Sequence, residues 1–163
     1  MATQNSMQQL NVIGLDQAGA ETLAGKLNQL LANYQIFYMN VRGFHWNIRG
    51  ERFFELHVKF EETYSDLLLK IDEIAERVLT LGQQPHHTYS KYLDNSAIKE
   101  AANVHEGRAC VEHILHGYQT VIRLQREILS AANEIDDEGT ASLMGDYITA
   151  QEKTAWMLTS YLK

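Results

Sequence analysis

The stretch HVKFEETYSDLLLKIDEIAE, residues 57–76, decides the fold and the chemistry of this chain. It holds two pairs of metal-binding side chains, His57 with Glu61 and Asp72 with Glu76, each spaced so that both members lie on one face of a helix. The pairs start at residues 57 and 72, which are 15 residues apart, or roughly 22 Å along a helix axis. No single metal centre spans that distance. Two such helices packed antiparallel would bring His57 of one against Glu76 of the other, which predicts a metal site shared between two copies of the chain and occurring twice per dimer.

The other residues of this helix divide into two faces. Charged residues cluster on a face that we expect to meet water, and large apolar residues form a stripe on the opposite side. The predicted solvated face consists of Glu55, Lys59, Glu62, Asp66, Lys70, Glu73 and Arg77, and the apolar stripe of Phe53, Phe60, Tyr64, Leu67, Ile71, Ile74 and Val78. Glu61 and Asp72 lie beside or inside the stripe, and Glu76 lies at its border. Because a buried carboxylate is costly unless it is paired or bound to a cation, a metal site and salt bridges within one chain both stay open.

Composition limits the class of protein. The chain has 163 residues, of which 45% are hydrophobic, and this suits a single folded domain over residues 1–163. The single cysteine, Cys110, excludes an internal disulfide and a cysteine-based zinc site, and we expect it to be buried. The N-terminus has no signal-peptide pattern, and no apolar run approaches about 18 residues, so we expect a cytoplasmic protein without a membrane span. The net charge of −7 opposes non-specific attraction to nucleic acid.

Hydrophobic periodicity predicts four long helices and no strands. The predicted helices cover residues 16–45, 52–81, 105–135 and 137–161, with a short helix at 89–93. The first and second long helices are joined by a short link, as are the third and fourth, while the link between these two pairs is long. This is the connection pattern of an all-α, ferritin-like four-helix bundle with one long crossover. Residues 1–15 are expected to form a flexible tail.

His45 lies at the end of the first predicted helix, twelve residues before His57 and separated from it by a turn. A lone histidine in such a place is more often a core residue bonded to backbone, so that interpretation also stays open. Two imidazoles and three carboxylates form a mixed nitrogen and oxygen set, which favours iron or zinc over calcium or copper(I). The Glu-x-x-His motif of sites built inside one bundle is absent from the sequence.

The chain resembles the Dps proteins, or mini-ferritins, over residues 23–162. The motifs that carry the resemblance are Phe44-His45-Trp46, Phe53-Phe54-Glu55-Leu56-His57 and Ile71-Asp72-Glu73-Ile74-Ala75-Glu76-Arg77. The resemblance implies a dodecamer built from two-fold dimers that oxidises Fe(II) with hydrogen peroxide, or more slowly with oxygen, and stores Fe(III) oxide inside. Its ferroxidase site would combine His45, His57 and Glu61 of one subunit with Asp72 and Glu76 of the partner subunit. Zinc would be an alternative occupant.

The resemblance also assigns roles to other residues. Many members carry Asp where this chain has Glu61, so the metal–metal distance, occupancy and rate are expected to differ here. Trp46 would lie near the iron and supply electrons or trap radicals, or would be only a core or interface aromatic. Asp136, Asp137 and Glu138 would line a three-fold pore that attracts Fe(II), or would only cap a helix.

Members of the family that bind DNA often use a Lys-rich N-terminal tail. The first basic residue here is Lys26, already inside the first predicted helix, so tight direct DNA binding is not expected. Protection of DNA from oxidative stress would then come from removing iron and peroxide, with a nucleoid association left open. The rival hypothesis is a non-catalytic DNA-compacting or structural shell whose site holds zinc or nothing. The remaining histidines, at 86, 87, 105, 113 and 116, are interpreted as surface or core residues.

Overall fold

The computed structural model describes residues 9–163. Five helices run in the order α1 (Gln17–Asn47), α2 (Phe53–Thr80), α3 (Tyr89–Asn95), α4 (Gly107–Glu134) and α5 (Glu138–Leu162). α1 packs along α2, α4 packs along α5, and α1 also contacts α4 and the short α3. No sheet forms within residues 9–163, where pairing is limited to two isolated bridges. The predicted all-α bundle with a long crossover is therefore confirmed, and the short crossover helix ends two residues later than predicted.

Side chains and a glycine define the helix ends. The Asp16 carboxylate accepts the N–H of Gly19 at 2.8 Å ahead of α1, and the Asp137 carboxylate accepts the N–H of Thr140 at 3.1 Å ahead of α5. Both bonds satisfy N–H groups that a helix leaves unpaired in its first turn. Gly82 follows α2 with φ +83°, the left-handed conformation in which a helix readily ends.

The predicted tail is only partly within the described residues. Residues 1–8 lie outside them, while residues 9–16 fold back as a turn. In that turn Leu10 forms an isolated bridge with Asp16, and the N–H of Gln17 donates to the carbonyl of Gln9 at 2.8 Å.

Three asparagines of α1 hold the crossover in place. Asn28, Asn33 and Asn40 form side-chain hydrogen bonds with crossover backbone at 2.7–3.1 Å. Their respective partners are Gln84 and His86, Ala97 and Ile98, and Lys99 and Ala101. Because buried backbone groups need partners, these bonds fix a segment that has little regular structure of its own.

The helices are not equally close to one another. A Cβ atom at Gly117 of α4 would lie 2.4 Å from the ring of Phe37, so glycine is needed for the approach of α4 to α1. α2 and α5 are farther apart, and a cavity of about 420 Å³ lies between them and α4. Its lining includes Val111, Tyr118 and Leu158.

Candidate metal centre

Two histidines from consecutive helices form the centre of the candidate site. His45 lies in the last turn of α1 and His57 in the first turns of α2, and the short link between the helices brings the rings together. The rings stack with their centroids 3.8 Å apart and their planes at 18°. The Nδ1 of His45 lies 2.7 Å from the carbonyl oxygen of His57, and the Nδ1 of His57 lies 2.8 Å from the carbonyl oxygen of His45.

This reciprocal bonding fixes the chemistry of both rings. A carbonyl oxygen can only accept, so each Nδ1 carries the hydrogen and each neutral ring keeps its lone pair on Nε2. Histidines that bind metals commonly have one ring nitrogen held by a backbone carbonyl in this way. Phe53 stacks on His57 at 5.1 Å, and Tyr64 meets His45 edge-on at 5.3 Å, which further fixes the rings. Backbone bonding and metal binding, weighed as alternatives for His45, are thus compatible because they use different nitrogens.

The three predicted carboxylate ligands all lie on the surface of the single chain. Glu61, Asp72 and Glu76 are exposed. Within residues 9–163 no three His, Cys, Asp or Glu side chains are placed to hold one ion. The structure therefore brings His45 and His57 together but does not bring the acids of the same chain to them.

An exposed apolar seam on α2 contains these three carboxylates. The three carboxylates and the apolar side chains of the seam together cover about 100° of the circumference of the helix. The apolar members are Phe54, Val58, Leu68, Leu69 and Leu79, which are 50–82% exposed, and Trp46 and Met39 of α1 are also exposed. Exposed apolar patches of this kind mark protein–protein interfaces. A second subunit covering the seam would remove the carboxylates from water, and a bound cation would then offset the cost of burying them.

The predicted apolar stripe of α2 is buried except for Phe53 and Tyr64, which are half-buried, but the predicted solvated face is partly wrong. Phe60, Leu67 and Ile74 have no exposed surface. Lys70, assigned to water, is only 9% exposed, and Arg77 is half-buried in an ion pair with Asp137 of α5. Part of the predicted solvated face of α2 therefore packs against α5. The spacing of residues along α2 alone does not show which neighbouring helix covers that face.

The three consecutive acids at the α4–α5 junction, residues 136–138, have different environments. Asp136 and Glu138 are exposed, but Asp137 is 3% exposed and bonds to Thr140 and Arg77. Burial alone would raise the pKa of the Asp137 carboxyl, but the hydrogen bonds from Thr140 and the Arg77 guanidinium outweigh it and hold that pKa below its usual value. The capping interpretation is therefore correct for Asp137, and only its two neighbours remain candidates for a pore.

Other predicted residues have simple environments. Trp46 is 56% exposed, with the Arg42 guanidinium 4.7 Å from its ring centre, so it is not a core residue of the single chain. Cys110 is buried as predicted, and burial raises the pKa of its thiol to about 11. His113 and His116 are exposed on α4. Between residues 9 and 163, no helix has the length and apolar character needed to cross a membrane.

Comparison with known proteins agrees with this architecture. Residues 24–163 match the Ferritin-like domain family. A Dps protein from Vibrio cholerae O1, described as a member of a broad superfamily of ferritin-like diiron-carboxylate proteins, superposes with a TM-score of 0.94 and 53% sequence identity, covering 98% of this chain and 99% of that one.

Curated relatives extend over a similar length. An uncharacterized protein of Haemophilus influenzae is 56% identical over 145 residues, which are 89% of this chain and 91% of that protein. The DNA protection during starvation protein of Porphyromonas gingivalis is 40% identical over 152 residues, which are 93% of this chain and 96% of that protein.

Proposed function

The chain belongs to the Dps family of ferritin-like proteins, and on that premise we propose that it binds Fe(II) at sites shared between two subunits and oxidises it. Hydrogen peroxide is the proposed oxidant, with oxygen as a slower one. The Fe(III) product is stored as an oxide mineral inside a shell of twelve subunits built from two-fold dimers. Such a shell protects DNA by withdrawing iron and peroxide, and we place it in the cytoplasm.

The incomplete site of the single chain supports this proposal most directly. His45 and His57 present two Nε2 lone pairs, and no carboxylate of the same chain completes the site among residues 9–163. The missing oxygen ligands are exposed within an apolar seam, where a partner would bury them. An antiparallel two-fold pairing of α2 would place the acids of one chain at the histidines of the other, and a two-fold interface repeats the site twice.

Each residue has a definite part in the proposed site. His45 and His57 of one subunit supply neutral nitrogen ligands. Glu61 of the same subunit does not complete the site in the single chain, and it would add its carboxylate once the partner subunit covers the seam. Asp72 and Glu76 of the partner subunit supply carboxylates that balance the charge of Fe(II). Such nitrogen and oxygen sets suit iron and also zinc, so zinc is expected to compete.

Electron balance explains why the substrate is handled in pairs. Two Fe(II) ions each give up one electron, and one hydrogen peroxide accepts both and, with two protons, leaves as two water molecules. A peroxide that meets only one Fe(II) is reduced by one electron and releases hydroxyl radical. Holding iron at a protein site therefore favours the harmless two-electron outcome.

Mixed assemblies of two variants test the shared site. His57→Ala and Glu76→Ala subunits should each be inactive alone in peroxide-dependent Fe(II) oxidation. After dissociation and equal mixing, half of the dimers are mixed, and each has one intact site, so about one quarter of the wild-type activity should return. No recovery would contradict the shared site.

A simpler measurement separates this function from the rival shell. Fe(II) and peroxide are added without oxygen, and the absorbance of Fe(III) is followed in wild-type protein and in the His57→Ala variant. Fast oxidation that depends on His57 supports a ferroxidase. Equal rates in both proteins would instead favour a structural shell whose site holds zinc or nothing.

A further inference from the structure

The end of α2 that carries Asp72 and Glu76 also carries two charged residues that bond to residues at the start of α5 and within it. Glu73 and Arg77 follow the two proposed ligands directly and are themselves spaced four residues apart. They lie about 100° around the helix from the ligands and point towards α5. Since the ligands lie in the last three turns of α2, their positions depend on how firmly this end is held.

Arg77 sits in a socket formed by the start of α5. Its Nε donates to the Thr140 hydroxyl at 2.8 Å, and its terminal nitrogen donates to the Asp137 carboxylate at 2.6 Å. Asp137 and Thr140 are buried, and Thr140 also donates to Asp137 at 2.5 Å. A Cβ atom at Gly139 would lie 2.9 Å from the guanidinium, so any larger residue there would displace the Arg77 side chain from its present position.

Glu73 makes the second link. Its carboxylate accepts the Tyr147 hydroxyl at 2.5 Å, and Tyr147 is 4% exposed in the bundle interior. The ring of Tyr147 also lies 5.1 Å from the Lys70 ammonium group. The Glu73 and Arg77 links matter because the backbones of α2 and α5 approach each other less closely than those of α1 and α2 or of α4 and α5.

We propose that Arg77, supported by the Glu73–Tyr147 bond, is a positioning residue for Asp72 and Glu76. This inference rests on the proposed shared ferroxidase site. Helix ends open more easily than helix centres, and a ligand set must be held to about 0.5 Å to function. The rigid fork of the guanidinium joins the α2 end to two buried groups of α5 and prevents that opening.

The positioned ligands serve the partner's histidines, and this gives the role a distinctive signature. A lesion at Arg77 should damage the site to which its own subunit donates acids and spare the site built on its own histidines. In mixed assemblies it should therefore behave like Glu76→Ala and unlike His57→Ala. If the Arg77 variant were only less stable, its activity would change equally in mixtures with Glu76→Ala subunits and with His57→Ala subunits.

The experiment compares two mixtures of Arg77→Gln subunits after dissociation and equal mixing. With His57→Ala subunits, activity should rise to about one quarter of the wild-type value, because half of the dimers are mixed and each mixed dimer has one intact site. With Glu76→Ala subunits, activity should not rise above that of Arg77→Gln alone, which we expect to be about 10–100-fold below wild type. Shell assembly and the melting temperature are measured for each preparation.

Two further variants keep the test decisive. Arg77→Lys retains the charge but loses the fork, and it replaces Arg77→Gln in the mixtures if the latter fails to assemble. The matched control is Arg126→Gln, which breaks an exposed interhelical ion pair with Glu152 and should retain wild-type activity.

The outcomes separate the two ideas. Suppose that the mixture of His57→Ala with Glu76→Ala subunits recovers activity. If the Arg77 variant then recovers equally with His57→Ala and with Glu76→Ala subunits, or is fully active by itself, the positioning role is overturned and the shared site stands. If the His57→Ala and Glu76→Ala mixture itself fails to recover, the shared site is wrong and the positioning role falls with it.

Discussion

His45 and His57 are joined through backbone, since the Nδ1 of each donates to the carbonyl oxygen of the other at 2.7 and 2.8 Å. A carbonyl oxygen remains when its own side chain is truncated to alanine. Each imidazole is therefore held by a group that survives loss of the other imidazole. Replacing one histidine by alanine should therefore leave the ring of the other histidine hydrogen-bonded and in place.

The first prediction follows from this arrangement. His45→Ala and His57→Ala should each weaken Zn(II) binding to the assembled protein by at least the roughly 10–100-fold that loss of a ligand's supporting partner costs. Each should still assemble, and only the double variant should lose the nitrogen ligands entirely. Calorimetric titration measures the affinities. The control is His116→Ala, an exposed histidine of α4, and equal affinity in all variants would exclude the histidines from the site.

The second prediction concerns Glu61, where the resemblance to the family leads us to expect Asp. Glu61→Asp shortens the side chain by one methylene, about 1.5 Å, and keeps the charge, so peroxide-dependent oxidation should continue at an altered rate. Glu61→Gln removes the charge and should reduce both the rate and the number of metal ions bound. Glu62→Gln is the matched control, because Glu62 points about 100° away and pairs with Lys59. A Glu62→Gln effect equal to that of Glu61→Gln would remove Glu61 from the ligand set.

The sequence predicted the bundle and the buried stripe of α2 because apolar periodicity directly reports which face of a helix meets the core. That His45 and His57 of one subunit share a site was implied by the resemblance to the Dps family, and the structure brings the two rings together. The prediction that each pair of metal-binding side chains shares one helix face rests on helix geometry alone and needs no knowledge of the neighbouring helices.

Relations between distant segments were beyond that reasoning. Arg77 was assigned to water because its partner Asp137 lies 60 residues further along the chain. Asp137 was grouped with Asp136 and Glu138 because three consecutive acids look alike in a sequence, although only the middle one folds back to cap α5. The contacts that decide such roles come from packing, and periodicity on one helix does not contain them.

The third prediction concerns the exposed acids at the start of α5. Asp136→Asn combined with Glu138→Gln should slow mineral growth at low ionic strength, because fewer carboxylates attract Fe(II). The difference from wild type should shrink with added salt, since the screening length falls from about 30 Å at 0.01 M to about 8 Å at 0.15 M. Asp94→Asn with Glu100→Gln makes the same charge change at other exposed acids and is the control. Equal slowing by both pairs would indicate a general effect of charge rather than a pore.

The fourth prediction is a pH dependence of stability. Arg77 and Thr140 hold the pKa of Asp137 below its usual value of about 4. A carboxyl with a lowered folded pKa stabilises the protein above its unfolded pKa, and this stabilisation is lost as the pH falls through the folded pKa. Asp137→Asn should therefore lower the free energy of unfolding by about 1–3 kcal/mol near neutral pH, and the difference should shrink in acid. Denaturant unfolding from pH 7 down to about pH 3 measures it, and a constant difference would contradict the proposed charge interaction.

The fifth prediction is that the assembled protein does not bind duplex DNA tightly near neutral pH. Affinity for DNA depends on Lys and Arg displacing condensed counterions, and a shell of twelve chains would carry about twelve times a net charge of −7. The segment before Lys26 contains no basic residue, so removing residues 1–10 should change nothing. A gel-shift assay with chelator at low salt should leave the DNA free at micromolar protein. Added Mg²⁺ provides the contrast, because a bridging cation could join two negative surfaces where the chain alone cannot. A clear shift with chelator present would mean that a local basic patch outweighs the net charge, and would restore direct DNA compaction as an activity.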